Sequence, residues 1–534
     1  MAIAPLSLKQ DYWQNIEVHE QDLEFLYNHL LEVEKPLTPQ ELLHALVSER
    51  IRQEKENLEK QQQSAGAIYY PKERYQVGQT IQIPAMDWQS GKVTTVRPGH
   101  NPELPEFEVI EVALENGENR TLAAGLPEHK LNEPIRINAD DPLLNPDSVI
   151  ETFGEHLNES LMEFVETSPD LVRIAGRYFP RALLVDINAG HLNLAEAVLD
   201  MMGGGPMPTG GLMEQIDLAE EGEGSNLTEF SLNLAMQEDK RFDEVGPAGE
   251  VLWFLHRLEP EPVREVPQFL RFSGANEADE DVQDLLAEFE PQIIDELEPA
   301  LNPVPIKPVD EVILGLLYPH WRAGTLPLAG NLLSMFPTAY ESPRIQFTFV
   351  DGNSGESFNG WVVREHHYVY GLREWYMSQG LITGSLLRVQ RSKNPGEVVI
   401  RVDKKRGARE WIRTAMIGSD GGVVFSMLKH NVTAAVDERM GIVISDVEML
   451  DKIWERNAKN RPQLAHTTRQ VMTELAKLSP QSHVHAQELY AAVNILRRCP
   501  PGSILSTLLE STWAKRLGNL YFRLDDTTGG DDND

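Results

Sequence analysis

The stretch that most restricts the fold is residues 226–258, because its periodicity changes once, midway, and each half fits only one kind of element. Leu227, Phe230 and Leu234, with Ala235 beside them, recur at helical spacing, and Asn226 and Thr228 stand near a capping position. After Arg241 and Phe242 the helical repeat stops. Residues 243–249 (DEVGPAG) are turn chemistry, and residues 250–255 (EVLWFL) are a β-rich run ending in large apolar side chains. Upstream, residues 192–202 form a helix stopped by Gly203-Gly204-Gly205-Pro206, and residues 209–216 form a short second helix. Three helices are thus followed by a turn and an aromatic strand.

In that order the chain resembles the HARE-type winged helix-turn-helix family over about residues 190–258. The family occurs in transcription-associated and restriction-linked proteins. The same grammar returns more weakly at 467–524. Val471, Leu475 and Leu478 give a first helix, residues 486–496 a second, residues 504–509 begin a third, and residues 518–524 (GNLYFRL) read as the wing strand. The resemblance implies a third helix that enters the major groove. In the first copy that helix carries Glu229 and Glu238, with Asp239 at its end, so it is expected to bind protein. The second copy carries Arg497, Arg498, Lys515, Arg516 and Arg523, and is the one expected to touch DNA.

The remaining segments read as further modules. Residues 15–65 give two helical stripes, the second opened by Thr38-Pro39-Gln40-Glu41, a capping residue followed by proline in the first turn. Between 70 and 135 come short strands separated by Gly78, Pro98-Gly99 and Asn116-Gly117, a small closed barrel similar in architecture to KOW-like or chromo-like barrels. Tyr69, Tyr70, Trp88 and His100 there fill the barrel or its seam, with an aromatic ligand cage as the sharper alternative. Residues 148–272 hold the winged-helix domain. Residues 273–310, with the acidic run 276–284, are an acidic linker and helix, or else an acidic peptide offered to a basic partner. Residues 526–534 are an acidic tail expected to be disordered.

Charge decides which region can meet phosphate. The chain of 534 residues carries a formal net charge of −35, which repels nucleic acid from most of its surface. Residues 214–300 hold 24 acidic against 5 basic side chains, whereas residues 361–415 hold 11 basic against 5 acidic. Within 311–450, strand-like runs around a short helix at 371–376 resemble, over 313–436 and through Trp361 and Gly384-Ser385-Leu386, the pseudobarrel DNA-binding domains of plant transcription factors and restriction-enzyme effector domains. Arg388, Arg391, Lys393, Arg401, Lys404, Lys405, Arg406 and Arg409 are expected on strand ends and loops there, where phosphate contacts are sterically open. Pairing of the same cations with the acidic segment is the alternative.

Chemistry is sparse. No GxxxxGK[ST] loop is present, and the single Cys499 excludes cysteine-based zinc fingers and any internal disulfide. His366-His367 and His483-x-His485 lack a companion carboxylate cluster and read as surface or packed histidines. Asp403-Lys404-Lys405 with Asp351 upstream is the one pattern that fits a metal-dependent nuclease, and it is a common one. No leader or bilayer-length apolar run appears, so a cytoplasmic location is expected.

The expected fold class is α+β, multi-domain, with winged-helix modules flanking small antiparallel β barrels. The expected function is a non-enzymatic DNA-associated or transcription-related regulator in which the basic β domain and the C-terminal winged helix (464–525) contact nucleic acid. The alternative is a protein-interaction scaffold, with RNA polymerase as a candidate partner. No cofactor, metal or membrane partner is expected.

Overall fold

The computed structural model describes residues 8, 10–64, 67–86, 89–101, 105–132, 141–218, 225–274, 280–303, 309–418 and 421–525. Trp88, residues 276–279 of the acidic run and the tail 526–534 lie outside them. The chain is multi-domain α+β and divides into two compact units, Met1–Val185 and Asp186–Asp534. No described helix is long and apolar enough to cross a membrane.

In the first unit, α1 (Gln10–Gln14), α2 (Glu20–Val33) and α3 (Pro39–Ser64) precede a five-stranded sheet of β1 (Ala67–Ile68), β2 (Thr80–Ile83), β3 (Gln89–Pro98), β4 (Glu108–Leu114) and β5 (Asn119–Ala124). The Thr38 cap works as its sequence suggests. Its Oγ1 accepts from the Glu41 N–H at 3.3 Å, while its own N–H donates to the Glu41 carboxylate at 2.7 Å. After the sheet come α4 (Pro146–Glu166), capped by Asn145, and the hairpin β6 (Leu171–Ile174) and β7 (Arg177–Pro180).

The five strands run in sequence order. Among the described residues they do not close by strand pairing, as the expected barrel would. Instead Leu126 N–H donates to Pro71 O at 2.7 Å, Gly125 N–H to Glu73 O at 3.0 Å, and the Tyr69 hydroxyl to Ala123 O at 2.6 Å. Tyr69 is therefore buried and committed to the seam, not to a ligand cage. A second correction concerns boundaries. Leu157, Leu161, Val165 and Tyr178, assigned from sequence to the winged-helix domain 148–272, pack in one core with Leu26, Leu30, Leu42 and Leu46. Leu37, between α2 and α3, exchanges backbone hydrogen bonds with Tyr178 on β7. In the first unit α2, α3 and α4 thus form a three-helix body closed by the β6/β7 hairpin, with the five-stranded sheet inserted between α3 and α4.

The second unit opens with the same connection uninterrupted. Here α5 (Ala189–Met201), β8 (Met207–Pro208), α6 (Thr209–Gln215) and α7 (Ser225–Glu238) lead into β9 (Phe242–Glu244) and β10 (Leu252–Leu255), in sheet order β8-β10-β9. Gly205 sits at φ +122°, and a Cβ there would stand 2.5 Å from Trp253 O, so only glycine lets the helix stop against the hairpin. Trp253 is fully buried and its indole N–H donates to Asn233 on α7 at 2.9 Å. The short helices α8 (Glu261–Arg264) and α9 (Glu280–Leu286) follow.

Next, β11 (Glu311–Gly315), α10 (Tyr318–Ala323), β12 (Thr325–Pro327), β13 (Arg344–Asp351), β14 (Ser357–Val363), β15 (Tyr368–Tyr370), α11 (Arg373–Ser378), β16 (Leu386–Arg391) and β17 (Glu397–Val402) build a seven-stranded sheet. Its order is β11-β16-β17-β13-β14-β15-β12, antiparallel except for β13 with β17. A long ribbon of β18 (Lys404–Ile417) and β19 (Val423–Ala434), with β20 (Ile442–Ile444) parallel to β18, links this sheet to α12 (Val447–Asn460). The chain ends in α13 (Leu464–Ala476), β21 (His483–His485), α14 (Ala486–Leu496), α15 (Pro501–Glu510), β22 (Ala514–Gly518) and β23 (Tyr521–Leu524), with sheet order β21-β23-β22.

Within the segment expected to be an acidic linker and helix, 273–310, the described residues 280–303 are not a solvated linker. Val282, Leu285, Leu286, Phe289 and Ile293 enter the same core as α13, α14 and α15. Asp295, Glu296 and Glu298, which follow, are buried as well.

Candidate nucleic-acid interface

The expected cations of 404–409 lie within the ribbon, not on loops. Lys404 pairs with Ala434 and Ala408 with Val432, so four residues of advance on β18 meet two on β19. The extra residues bulge outward and leave Lys404, Lys405, Arg406 and Arg409 exposed. From Ala408 the register is continuous. Side chains alternate across the ribbon and paired residues share a face, so Arg409, Trp411, Met427, Lys429 and Asn431 stand together. Trp411 is 62% exposed, and Lys429 Nζ lies 5.1 Å from its ring centroid. Toward the tip the ribbon turns inward, where Ala415, Val423 and Phe425 join the core. One end is anchored and the middle is left bare.

Among the described residues Lys404, Arg406 and Arg409 have no ion-pair partner, and Lys405 approaches only Glu410, at 4.0 Å. The second exposed cationic strand pair is β22/β23. Lys515 pairs with Arg523 and Arg523 with His483, which places three basic side chains across the sheet on one face. Phe522 points inward and is buried. Arg516 is exposed, 3.7 Å from Glu288.

Other expected contacts are used up inside the fold. Arg388 donates to both oxygens of Asp403 at 2.9 and 3.1 Å and also to Glu311, tying β16 to β11, so its charge is spent. The Asp403 carboxyl is held below its ordinary range, first by the Arg388 hydrogen bond. Arg401, opposite Arg388 in the register, is half-buried. Arg391 is exposed and donates to Ser334 O at 2.9 Å; Lys393 is exposed on the turn beyond. Arg497 donates to Pro462 O at 2.7 Å and lines a cavity of about 410 Å³ with Arg271, Arg461 and Trp454.

Arg498 requires outright correction. Its side chain is fully buried, bonded to Asp295 at 2.9 Å and 3.0 Å from Glu296, so it cannot reach a phosphate. His320 meets the other oxygen of Glu296 at 3.0 Å, and the Tyr490 hydroxyl donates to Asp295 at 2.6 Å. Burial alone pushes the Glu296 carboxyl up, but Arg498 and His320 beside it hold it well below the usual carboxylate range.

The third helices offer no cation to a phosphate either, since neither α7 nor α15 contains a lysine or arginine. On α7, Thr228, Phe230, Ser231, Leu232, Asn233, Leu234 and Met236 are buried, which leaves no open face to lay in a groove. On α15, Pro501, Gly502, Ile504, Leu505 and Leu508 are buried, while Ser506, Thr507, Leu509 and Glu510 remain partly or fully exposed. The exposed basic surface is therefore made of strands.

Alternative chemistry is also committed elsewhere. Asp351 is buried and accepts from the Asn353 and Ser354 N–H groups, the Trp375 indole and Gln379. With Asp403 clamped by Arg388, neither carboxylate of the nuclease pattern presents free oxygens to a cation. His485 caps α14, accepting from Gln487 N–H at 3.2 Å, and burial lowers its pKa to about 4. Cys499 is buried, and that burial pushes its thiol up to about 12.

Trp411 and Lys429 were not identifiable from sequence. An isolated tryptophan beside Ile412 looks like core, and the period-2 signal of β18 is masked by the polar run KKRGARE. Comparison of the chain with protein-family models, with curated proteins and with solved structures finds no match.

Proposed function

We propose that the chain binds nucleic acid through its backbone, using the β18/β19 ribbon as the principal surface and the β22/β23 hairpin as a second. One observation carries this reading. In a protein of net charge −35, Lys404, Arg406 and Arg409, without ion-pair partners among the described residues, share a bare ribbon with an exposed tryptophan and Lys429. Cations on strands engage phosphates, and a two-stranded ribbon fits a major groove. An exposed aromatic stacks on unpaired bases. The three helix-and-hairpin bodies then act as winged-helix-like modules that contribute wings, while their third helices, which carry no lysine or arginine, make no phosphate contact.

The test is fluorescence anisotropy of labelled duplex and single-stranded oligonucleotides across a salt series. Each neutralised phosphate contributes about 0.9 to the slope of log K against log salt, so the triple variant Lys404→Ala, Lys405→Ala, Arg406→Ala should lower the duplex slope by up to about 2.7. An unchanged slope, or no binding by the wild type at low salt, refutes the proposal.

A second reading has its own support. Met427, on the same face as Trp411, is 40% exposed, so that face of the ribbon offers apolar area to a protein partner. Salt-insensitive capture of a partner that is lost in Trp411→Ala but kept in the triple variant would favour that reading.

A further inference from the structure

The hairpin β9/β10 brings together three side chains that the nucleic-acid reading does not use. Phe242 pairs with Leu255, so Asp243 lies one step along β9 and His256 one step beyond β10. The His256 N–H donates to Arg241 O at 3.0 Å, closing the corner. The chain then makes a single 3-10 turn, His256–Leu258, whose i to i+3 spacing sets Glu259 on the same edge as His256. His256 Nδ1 stands 3.0 Å from Asp243 Oδ2 and 3.5 Å from Glu259 Oε2, and all three ligand atoms lie within 4.8 Å of one another.

A second observation is independent of that spacing. The Glu259 side chain is completely enclosed, and among the described residues neither of its carboxylate oxygens has a hydrogen-bond donor. A buried carboxylate in that condition requires a proton or a cation. Arg344 does not supply the missing donor. Its Nη1 is bonded to Asp243 and remains 3.7 Å from Glu259, while its Nε is held by Val263 O at 3.1 Å.

We propose that Asp243, His256 and Glu259 bind a divalent transition-metal cation of the Zn²⁺ class, with Arg344 as the outer donor that orients Asp243. A tetrahedral zinc with N and O ligands at about 2.0–2.1 Å has ligand-to-ligand edges of about 3.3 Å. The 3.0 and 3.5 Å separations bracket that value. An imidazole nitrogen in the set favours zinc, copper, iron or nickel over calcium, magnesium and manganese. A guanidinium on a ligating carboxylate is a common outer-sphere arrangement. His256 remains 39% exposed, which leaves an entry path and a fourth position for water. Because Arg344 begins β13, the ion would fasten the first hairpin of the second unit to the seven-stranded sheet.

The full chain, stripped with chelator, is titrated with Co²⁺ and then with Zn²⁺. One equivalent of Co²⁺ should give the visible absorption of a four-coordinate N/O site, and one equivalent of Zn²⁺ should abolish it. His256→Ala should remove the signal, and the near-isosteric Glu259→Gln should weaken affinity at least 10-fold, with circular dichroism confirming the fold of each. Absence of a stoichiometric Co²⁺ spectrum in the wild type overturns the proposal, whatever the variants do. An equal signal in His256→Ala also overturns it, by assigning the binding to other histidines.

Discussion

Replacing Arg498 with methionine tests whether this arginine is structural. Among the described residues the guanidinium is the only cation bonded to Asp295, and it shares Glu296 with His320. Methionine fills most of the volume but leaves two enclosed carboxylates short of donors. Breaking a buried pair by removing one partner costs about 3–5 kcal/mol, because the other charge stays behind uncompensated. The unit Asp186–Asp534 has 349 residues; at about 2.1 cal/mol/K per residue its unfolding entropy is about 0.7 kcal/mol/K, so a loss of about 4 kcal/mol lowers Tm by about 5–6 °C. Differential scanning calorimetry measures this directly. Adding Asp295→Asn to Arg498→Met should recover part of the loss, since the amide needs no countercharge. Oligonucleotide affinity and salt slope, measured well below Tm, should stay at wild-type values. A Tm within about 1 °C of wild type, or a reduced salt slope, would refute the structural assignment.

Four further outcomes follow from the same structure. Trp411→Ala should leave Tm nearly unchanged, because the ring is 62% exposed, yet weaken single-strand binding by about 1–3 kcal/mol in anisotropy if the ring stacks on a base. Lys515→Ala with Arg523→Ala should lower the duplex salt slope by up to about 1.8, and a slope equal to wild type would remove β22/β23 from the interface. Glu298 is buried against the start of α15, where it accepts from Gly502 N–H at 2.8 Å; burial, aided by Asp295, pushes its carboxyl up to about 7 from 4.5. Its folded pKa is the higher one, so this stabilisation is complete below about pH 4.5 and is lost as pH rises through about 7. The change is worth up to about 3.5 kcal/mol at about 1.4 kcal/mol per pK unit, and Glu298→Gln should flatten that part of the Tm against pH curve. Tyr178→Ala should cost about 3–5 kcal/mol in urea unfolding of the first unit, because the ring is 2% exposed in the core that α4 shares with α2 and α3.

Local pattern made the helices and hairpins legible, since their cause is local. Leu227, Phe230 and Leu234 announce α7, Gly203 to Pro206 end α5, and Thr38 with Glu41 opens α3. Long-range pairings leave no comparable trace. Nothing in Leu37 says that it will exchange hydrogen bonds with Tyr178, 141 positions later, so the inserted sheet read as a separate domain and α4 went to the wrong body. Adjacent Arg497 and Arg498 are equivalent as letters. Only the buried Asp295 and Glu296, about 200 positions earlier, separate a cavity-lining arginine from a core one. The Asp243, His256 and Glu259 cluster escaped for the same reason, because hairpin register and not sequence spacing brings the three together.

The three helix-and-hairpin bodies share a connection but diverge in what their hairpins carry, and that divergence bears on division of labour. In each, the short strand or bridge after the first helix pairs with the second hairpin strand: Leu37 with β7, β8 with β10, β21 with β23. The acidic residues of the middle hairpin, Asp243 and Glu244, are partly buried and bonded to Arg344 and Ser342, whereas the last hairpin carries Lys515, Arg516 and Arg523 exposed. The third helices of both bodies of the second unit carry no lysine or arginine, so what sets the last body apart at the surface is the cationic charge of its hairpin. Reversing that charge should therefore move binding without moving the fold. Lys515→Glu with Arg523→Glu places two carboxylates where the phosphates would lie, and duplex affinity at low salt should fall well below that of the alanine pair, with Tm close to wild type because both side chains are exposed. Equal affinities for the glutamate and alanine pairs would mean that the last hairpin does not approach the nucleic acid, leaving the ribbon alone as the cationic surface.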